Sequence, residues 1–247
     1  MKKITIISLG WLGIKLYKEL LNTEAYHVSG SYHSDKKNIE DEFQYDINES
    51  SELPKKIKDA DVVFFNLPPS KIHNIKKLKS FLDEIQDKEL IFISSTSVYG
   101  QEGTYNEDDL PVPESKNGKF LVDIEKYITD KFKKYNIIRP GGLYGEDRHP
   151  AKYLSGKDVS YSQKEVVNLI SDRDLLKIIK MSMTVNNKII NAVNSNHPSK
   201  RECYRKSAEK LGISPPNFSD KKDAIKRIIN TKYEDFKIST SLYEFKI

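Results

Sequence analysis

The sequence predicts an α/β fold, a doubly wound parallel sheet with a small C-terminal lobe. A β-branched run that begins at residue 4 stops at a glycine turn, and leucines at helical spacing follow the turn. Residues 61–66 and 90–95 are apolar on both faces, as strands inside a parallel sheet are. Strand and helix patterns alternate along the chain, which is typical of parallel strands joined by helices.

Each predicted element follows from its own pattern. The first helix carries Leu12, Leu16 and Leu20 on one face, and the helix after the third strand contains Pro54. A longer helix is predicted over residues 118–135. The predicted strands begin at residue 4 and then cover 26–31, 42–46, 61–66, 90–95, 136–140 and 188–193. The last strand is predicted to return to the sheet from the C-terminal part of the chain.

The glycine turn between the first strand and the first helix predicts a dinucleotide phosphate site. Gly10 lets the backbone approach a pyrophosphate, Gly13 lets the helix pack closely on its strand, and the amides of the helix start bind the anion. Ser8 occupies the first glycine position of G-x-G-x-x-G, so the motif is incomplete, and a plain strand-to-helix turn is the alternative. The predicted cofactor-binding residues of this turn are Ser8, Gly10, Trp11, Leu12 and Gly13.

Composition excludes several classes of protein. The 41 basic and 36 acidic residues are interspersed, which predicts solvated faces and no nucleic-acid stripe. No apolar run has membrane-spanning length and the start lacks a secretory pattern, so we expect a cytoplasmic protein without membrane association. Cys203 is the only cysteine and the five histidines are scattered, so neither an internal disulfide nor a metal site is predicted.

Several motifs in the middle of the chain resemble one enzyme family. Residues 93–100 read ISSTSVYG, residues 139–145 read RPGGLYG, and residues 148–150 read RHP. Residues 167–175 are similar to a later N-x-I-H-x-x-D-L segment, with Ser171 in place of the histidine. Together they resemble the extended short-chain dehydrogenases/reductases, in the NAD-dependent epimerase/dehydratase branch. An unrelated Rossmann-like fold with coincidental matches is the alternative.

The resemblance implies a domain division and roles for individual residues. It implies a Rossmann core over residues 1–150 and a small substrate lobe over 151–247 that partly returns to the same sheet. Ser95 corresponds to the residue that hydrogen-bonds a substrate oxygen. Asp46 is similar to an adenine-facing aspartate, although an ordinary strand-end role stays open. The other implied cofactor contacts are Leu67 and Pro68 beside the adenosine ribose and pyrophosphate, and Pro140, Gly141 and Gly142 near the nicotinamide.

The family's Tyr-x-x-x-Lys pair, which moves the proton and holds the ribose, has no counterpart at the matching positions. Alignment places Asn117 at the tyrosine and Leu121 at the lysine, while Glu125 matches an acid of the same helix. A relocated phenol is one alternative, with Tyr144 as the candidate catalytic residue beside Ser95. Tyr99 and Tyr105 in these loops are further possible donors, and an ordinary packing role is the alternative for all three phenols. Arg148 and His149 are candidates for holding an anionic substrate or belong to a solvated loop.

Cofactor choice depends on the end of the second strand. NAD sites commonly place an acid there for the ribose 2′-hydroxyl, and this strand ends without one. The sequence therefore favours NADP over NAD, although Asp35 is close enough to offer the alternative. The candidate 2′-phosphate contacts are Ser31, His33 and Ser34.

Two functions follow from these patterns. The first is an NAD(P)-binding oxidoreductase or epimerase that acts on a sugar-nucleotide-like or other hydroxylated substrate. The second is a catalytically silent dinucleotide-binding protein that regulates or senses. Measurable hydride transfer separates the two.

Overall fold

A computed structural model of the chain describes residues 1–145, 148–162, 164–219 and 226–243. The strands are β1 (Lys2–Ile7), β2 (Tyr26–Tyr32), β3 (Glu42–Gln44), β4 (Val62–Phe65), β5 (Glu89–Ile93), β6 (Gly103–Tyr105), β7 (Tyr135–Pro140), β8 (Gly142–Tyr144), β9 (Asp158–Ser162), β10 (Leu169–Ser171), β11 (Lys188–Ala192), β12 (Asn217–Ser219) and β13 (Arg227–Ile229). The helices are α1 (Trp11–Leu21), α2 (Lys55–Lys58), α3 (Ile75–Glu84), α4 (Lys116–Lys131), α5 (Pro150–Leu154), α6 (Asp172–Ser182) and α7 (Lys200–Leu211).

Seven strands form one sheet in the order β11-β7-β5-β4-β1-β2-β3. The paired strands from β3 to β7 are all parallel, and the connections run outward from β1 in both directions. The predicted α/β class and doubly wound parallel sheet are therefore confirmed. Because the strand order reverses between β1 and β4, the carboxyl ends of these two strands mark the place where such sheets bind ligands.

Helix boundaries differ from the predicted ones where a capping group intervenes. Helix α4 begins at Lys116, two residues before the predicted start, because the Ser115 hydroxyl accepts a hydrogen bond from the Gly118 amide at 3.0 Å. It ends at Lys131, before the predicted residue 135. Pro54 lies just outside α2, where its missing N–H costs no helical hydrogen bond.

Contacts divide the chain into two compact units, and each is assembled from several segments. The first unit comprises Met1–Ser94, Ser115–Ile138 and Ile179–Ile189, and the second comprises Ser95–Glu114, Arg139–Ile178 and Ile190–Ile247. The division into residues 1–150 and 151–247 stays a prediction. No helix within the described ranges has the length and apolar composition needed to cross a membrane.

The first unit is built around the apolar central strands. All four residues of β4 are buried, as the apolar run predicted for a strand covered on both faces. Phe65 stacks on Phe92 of β5 with ring centroids 5.6 Å apart, and it also contacts Phe81 of α3 at 5.6 Å. The helix and the sheet thus share one aromatic core.

The second unit contains three short parallel strand pairs, β8 with β10, β9 with β12, and β6 with β13. One carboxylate joins two of its segments. Glu107 Oε1 accepts hydrogen bonds from the Asn191 amide at 2.7 Å and the Thr231 hydroxyl at 2.6 Å, and Oε2 accepts from the Lys232 amide at 2.8 Å. These bonds hold distant parts of the chain together in this unit.

Asn136 on β7 is a buried polar residue that fixes the approach to β11. Its Nδ2 donates to the carbonyl oxygens of Ser182 at 2.8 Å and Val185 at 2.7 Å, and its Oδ1 accepts from the Lys188 amide at 3.1 Å. The residue is 0% exposed, so water cannot replace these bonds if the amide is removed.

We expect Asn136→Ala to lower the free energy of unfolding by about 3 kcal/mol, because the substitution leaves two carbonyls and one amide without partners. Urea denaturation measures the change. Asn217→Ala is the matched control, since this exposed asparagine makes a single side-chain bond to Asp158, and its loss is expected to cost less than about 0.5 kcal/mol. Equal losses in the two variants would contradict the role assigned to Asn136.

Candidate functional site

The turn after β1 brings helix α1 very close to the end of its strand. A Cβ atom added to Gly13 would lie 2.1 Å from the carbonyl oxygen of Ser8, which no side chain can tolerate. Ser8 itself has a φ of 79°, a left-handed conformation that favours glycine. The serine thus adopts the backbone conformation of the glycine that it replaces in the motif, and it bears the strain.

Ser31, at the end of β2, holds this turn in place. Its hydroxyl oxygen accepts a hydrogen bond from the Ser8 amide at 3.0 Å, and its carbonyl oxygen accepts from the Leu9 amide at 2.7 Å. Leu9 packs over Gly30, where an added Cβ would lie 2.5 Å from a leucine methyl. Ser31, a predicted phosphate contact, is 2% exposed and its recorded bonds support the turn. Sequence reasoning did not single out Gly30, whose signal is a glycine inside a strand.

The start of helix α1 is arranged to attract an anion. Gly10 is the N-cap, no described side chain caps this helix end, and no acidic residue lies in the first turn. Among the described residues, a Cβ at Gly10 would have one neighbour within 4 Å, the Ser8 hydroxyl at 3.5 Å, which is an ordinary contact distance. Lys15 Nζ lies 4.4 Å from the centroid of the Trp11 ring. The backbone amides and the helix dipole favour negative charge here.

Asp46, the predicted adenine-facing residue, accepts hydrogen bonds on both carboxylate oxygens. Oδ2 lies 2.9 Å from His33 Nε2, and Oδ1 accepts from the Asn48 amide at 2.8 Å and from Asn48 Nδ2 at 3.1 Å. Burial raises the pKa of Asp46, but the bonds from Asn48 and His33 outweigh burial and hold the pKa below its ordinary value. The carboxylate is therefore ionised at neutral pH.

The loop after β4, which contains Leu67 and Pro68, is attached to the Asp46 loop by Asn48. Asn48 Nδ2 donates to the Lys71 carbonyl at 2.9 Å, and Oδ1 accepts from the His73 amide at 2.8 Å. Sequence reasoning missed Asn48, although an asparagine two residues after an aspartate is a known signal for local side-chain bonding. The structure records no hydrogen bond between Ser34, the remaining predicted phosphate contact, and another described residue.

Ser94 and Glu125 form a buried pair in the first unit. The Ser94 hydroxyl donates to Glu125 Oε1, and both residues are less than a tenth exposed. On the same helix, Asn117 is exposed whereas Leu121 is 3% exposed. The helix position aligned with the family's lysine is therefore part of the apolar core.

Ser95 begins the second unit and caps the short helical turn at Thr96–Val98. Its Oγ accepts a hydrogen bond from the Ser97 amide at 3.1 Å, which leaves the hydroxyl proton available for another acceptor. Ser95 is half-buried, so a small molecule can reach it.

The two glycines after Pro140 lie where backbones nearly touch. Gly141 donates its amide to the Ala192 carbonyl at 3.0 Å, and Gly142 donates to the Asn168 carbonyl at 2.7 Å. An added Cβ at Gly141 would lie 2.5 Å from the Asn168 oxygen. Close packing within the second unit is therefore enough to explain why Gly141 and Gly142 are glycines.

The candidate phenols of the second unit are engaged in packing. Tyr99 Oη accepts from Arg139 Nη1 at 2.7 Å and lies 2.8 Å from the Asn106 carbonyl, and its ring stacks on Tyr105 at 5.1 Å. Tyr144 is 3% exposed in an apolar cluster, and burial raises its pKa above the ordinary value. A phenol with a raised pKa gives up its proton less readily.

His149 packs edge-on against Tyr144, with centroids 5.4 Å apart. It is 1% exposed, so it is not part of a solvated loop. Burial, together with the charge of Lys152, lowers the pKa of His149 to about 4. The ring is neutral at pH 7 and brings no charge to an anionic substrate.

Comparison with known proteins supports the fold assignment. No family model matches the chain. Protein YeeZ of Escherichia coli strain K12 is 28% identical over 250 residues, covering 91% of this chain and 89% of that protein. The solved UDP-glucuronic acid 4-epimerase of Bacillus cereus in complex with NAD superimposes with a TM-score of 0.80 at 19% identity, covering 98% of this chain and 93% of the epimerase. The chain has the fold of the nucleotide-sugar epimerases.

Three further structures share the epimerase fold. MoeE5 in complex with UDP-glucose and NAD gives a TM-score of 0.80 at 18% identity, covering 99% of this chain and 95% of MoeE5. UDP-glucose 4-epimerase of Thermotoga maritima with UDP-glucose gives 0.74 at 15% identity, covering 93% and 90% of the two chains. A solved structure described as a putative NAD-dependent epimerase/dehydratase from Methylobacillus flagellatus gives a TM-score of 0.75 at 20% identity, covering 93% of this chain and 89% of that chain.

We expect Ser8→Gly to raise the free energy of unfolding by about 1 kcal/mol, because glycine removes the strain of a left-handed φ at the turn. Ser8→Ala is the matched control: it also removes the hydroxyl but keeps the Cβ and the strain. Urea denaturation of both variants measures the difference. Equal stability of the glycine and alanine variants would contradict the strain assigned to Ser8.

Proposed function

We propose that the chain binds an NAD(P) dinucleotide, with the pyrophosphate against the start of α1. The observation that carries this proposal is the turn itself, in which Gly13 lies against the Ser8 carbonyl while a Cβ at Gly10 would make an ordinary contact. Among the described residues no side chain caps the start of this helix, so its backbone amides suit an anionic ligand. The residues present therefore fit the phosphates of a dinucleotide.

In the first unit, Asp46 is proposed to face the adenine, with Leu67 and Pro68 beside the ribose and pyrophosphate. Asn48 supports this arrangement because it ties the loops of Asp46 and Pro68 together. In the second unit, the positions of Pro140, Gly141 and Gly142 beside the nicotinamide remain predictions. When bound, the nicotinamide ring supplies hydride transfer, while the protein's residues bind, orient and exclude water.

The proposed substrate is a sugar nucleotide or another hydroxylated small molecule. Ser95 is proposed to hold a substrate oxygen, since its Oγ accepts from the Ser97 amide and its hydroxyl proton can be donated to a substrate. The solved neighbours with the same fold contain UDP-glucose or UDP-glucuronic acid beside NAD. We propose that the lobe predicted over residues 151–247 supplies further substrate contacts.

A catalytically silent dinucleotide-binding protein is the second candidate. The observation that favours it is the burial of Leu121 where the family's lysine stands, together with an exposed Asn117 at the tyrosine position. Neither side chain transfers a proton. Tyr144 as a relocated donor is opposed by its burial and raised pKa. Hydride transfer to any substrate would exclude the silent function.

We expect NADH and NADPH to change the fluorescence of Trp11, the only tryptophan, because this residue begins the helix that receives the pyrophosphate. Gly10→Glu is expected to abolish the response by steric exclusion and by repelling the phosphates. Gly10→Ala is the folded control, since its Cβ makes an ordinary 3.5 Å contact, and it should keep most of the affinity. If neither dinucleotide changes the fluorescence of the wild-type protein, the proposed dinucleotide site is wrong.

If the protein is an enzyme, Ser95→Ala is expected to reduce kcat by about 100-fold or more with little change in dinucleotide affinity, because the hydroxyl contacts substrate rather than cofactor. With UDP-sugars as substrates, the absorbance of reduced nicotinamide measures kcat for net oxidation, and the rate at which the epimeric sugar appears measures kcat for epimerisation. Ser97→Ala is the control, since Ser97 contributes its backbone amide to the Ser95 bond and keeps that amide when the side chain is removed. Unchanged turnover in Ser95→Ala would remove Ser95 from the mechanism.

A further inference from the structure

Arg227, the first residue of β13, carries a partly buried cation in the second unit. Within the described ranges, no hydrogen bond or ion pair joins its guanidinium to another residue, and the recorded bonds of Arg227 use its backbone. Buried and partly buried charges in proteins are normally paired. The guanidinium is therefore a charged group whose partner remains to be identified.

The strand that carries Arg227 is held along both of its edges. On one edge it pairs in parallel with β6, where Arg227 lies opposite Gly103 and the Gly103 amide donates to the Lys226 carbonyl at 3.0 Å. On the other edge Asn168 Nδ2 donates to the Arg227 carbonyl at 2.9 Å, and Asn168 Oδ1 accepts from the Ile229 amide at 2.8 Å. The backbone from which the guanidinium extends is thus fixed in place.

One face of β6 and β13 forms the surroundings of this side chain. Residues that are paired in register, or two apart on a strand, share a face, so Gly103, Tyr105, Arg227 and Ile229 lie together. The Tyr105 ring lies over Gly103, because a Cβ added there would be 3.1 Å from the phenol oxygen. That phenol donates to the Glu102 carbonyl at 2.5 Å, so its proton is already used. The face supplies an aromatic ring and the buried Ile229 beside the cation.

The electrostatic setting of Arg227 favours a ligand of opposite charge. Burial lowers the pKa of Arg227 below its ordinary value, while Tyr105 and Glu114 act in the opposite direction. The guanidinium nevertheless stays protonated at pH 7, as arginine does in proteins. Glu114 is exposed, and its Oε1 accepts a hydrogen bond from the Gln101 amide at 3.2 Å. A desolvated charge without a hydrogen-bonded partner is unfavourable, and an anion would remove that cost.

We propose that Arg227 binds an anionic group of the substrate, either a phosphate or a carboxylate; this inference rests on the proposed function, to which it adds the charge of the substrate. A guanidinium presents parallel N–H groups that match the two oxygens of such an anion. Ser95, which is proposed to hold a substrate oxygen, belongs to the same unit. Tyr99 follows Ser95 by four residues and stacks on Tyr105 with centroids 5.1 Å apart.

The test compares wild type, Arg227→Met and Arg227→Lys by calorimetric titration with UDP-glucose, UDP-glucuronic acid and sodium phosphate. Methionine keeps most of the aliphatic stem without the charge, whereas lysine keeps the charge without the planar pair of donors. We expect Arg227→Met to weaken binding of the ligand that reaches Arg227 by about 30-fold, and Arg227→Lys to weaken it by about fivefold.

The two sugar nucleotides distinguish the two sources of the anion, because both carry a diphosphate and UDP-glucuronic acid adds a carboxylate. Similar losses for both compounds in Arg227→Met would assign the diphosphate to Arg227. A loss for UDP-glucuronic acid alone would assign the carboxylate, and either result supports the inference. Affinities for both compounds that are the same in wild type and Arg227→Met would overturn it.

Thermal unfolding without ligand separates binding from a structural role. Since the substitution removes an uncompensated charge from a partly buried position, we expect Arg227→Met to raise Tm by about 2 °C. A lower Tm would show that the side chain supports the fold, and that result would overturn the inference. Arg205→Met is the matched control, because Arg205 is an exposed arginine on α7 of the same unit. It should leave Tm and all three affinities unchanged.

Failure of the proposed function gives a different result from failure of the inference. If neither sugar nucleotide binds to wild type, the proposed substrate class is wrong, and the phosphate titration then decides the inference. Phosphate binding that is lost in Arg227→Met would support the anion site, whereas phosphate binding that is absent, or equal in both proteins, would overturn it. A missing response of Trp11 to dinucleotides would contradict the dinucleotide site without changing the outcome of these titrations.

Discussion

The close approach of Gly13 to the Ser8 carbonyl is the constraint on which the candidate site depends. With the helix this near the strand, the chain between them has to turn within a few residues, and Ser8 takes a left-handed conformation to do so. The turn is then held from the side by Ser31, through two bonds to consecutive amides. The turn is therefore supported by both β1 and the end of β2. The backbone amides at the start of α1 lie next to this supported turn.

The sheet was predictable because its strands have strong, simple patterns. Residues 62–65 and 90–93 are continuous apolar runs, and burial on both faces suits them. The helix boundaries were harder to predict, because they depend on capping contacts such as that of Ser115 with Gly118. The short strand pairs of the second unit have three-residue strands for the most part, and three residues carry too little periodicity to be distinguished from loops.

The site was predictable where a backbone conformation dictates the residue type. Gly10 and Gly13 indicate the turn because they have no Cβ atom. The later motifs indicate strand ends because they resemble the motifs of the dehydrogenase/reductase family. Asn48 was missed because its partners, Lys71 and His73, are more than twenty residues away and two of its bonds involve backbone atoms of that segment. Such bonds leave no pattern in a single sequence. The burial of His149 and Tyr144 was likewise invisible, because it results from packing that distant segments provide.

The interleaving of the two units has a consequence for synthesis of the chain. Strand β11, which covers one edge of β7, is the last strand of the main sheet to leave the ribosome, roughly fifty residues after β7 itself. During that interval the side of β7 that faces away from β5 is an open edge, and its N–H and C=O groups lack a neighbouring strand. The nascent protein therefore passes through a stage in which an apolar strand can pair with another chain, and its yield depends on how quickly the C-terminal segments emerge.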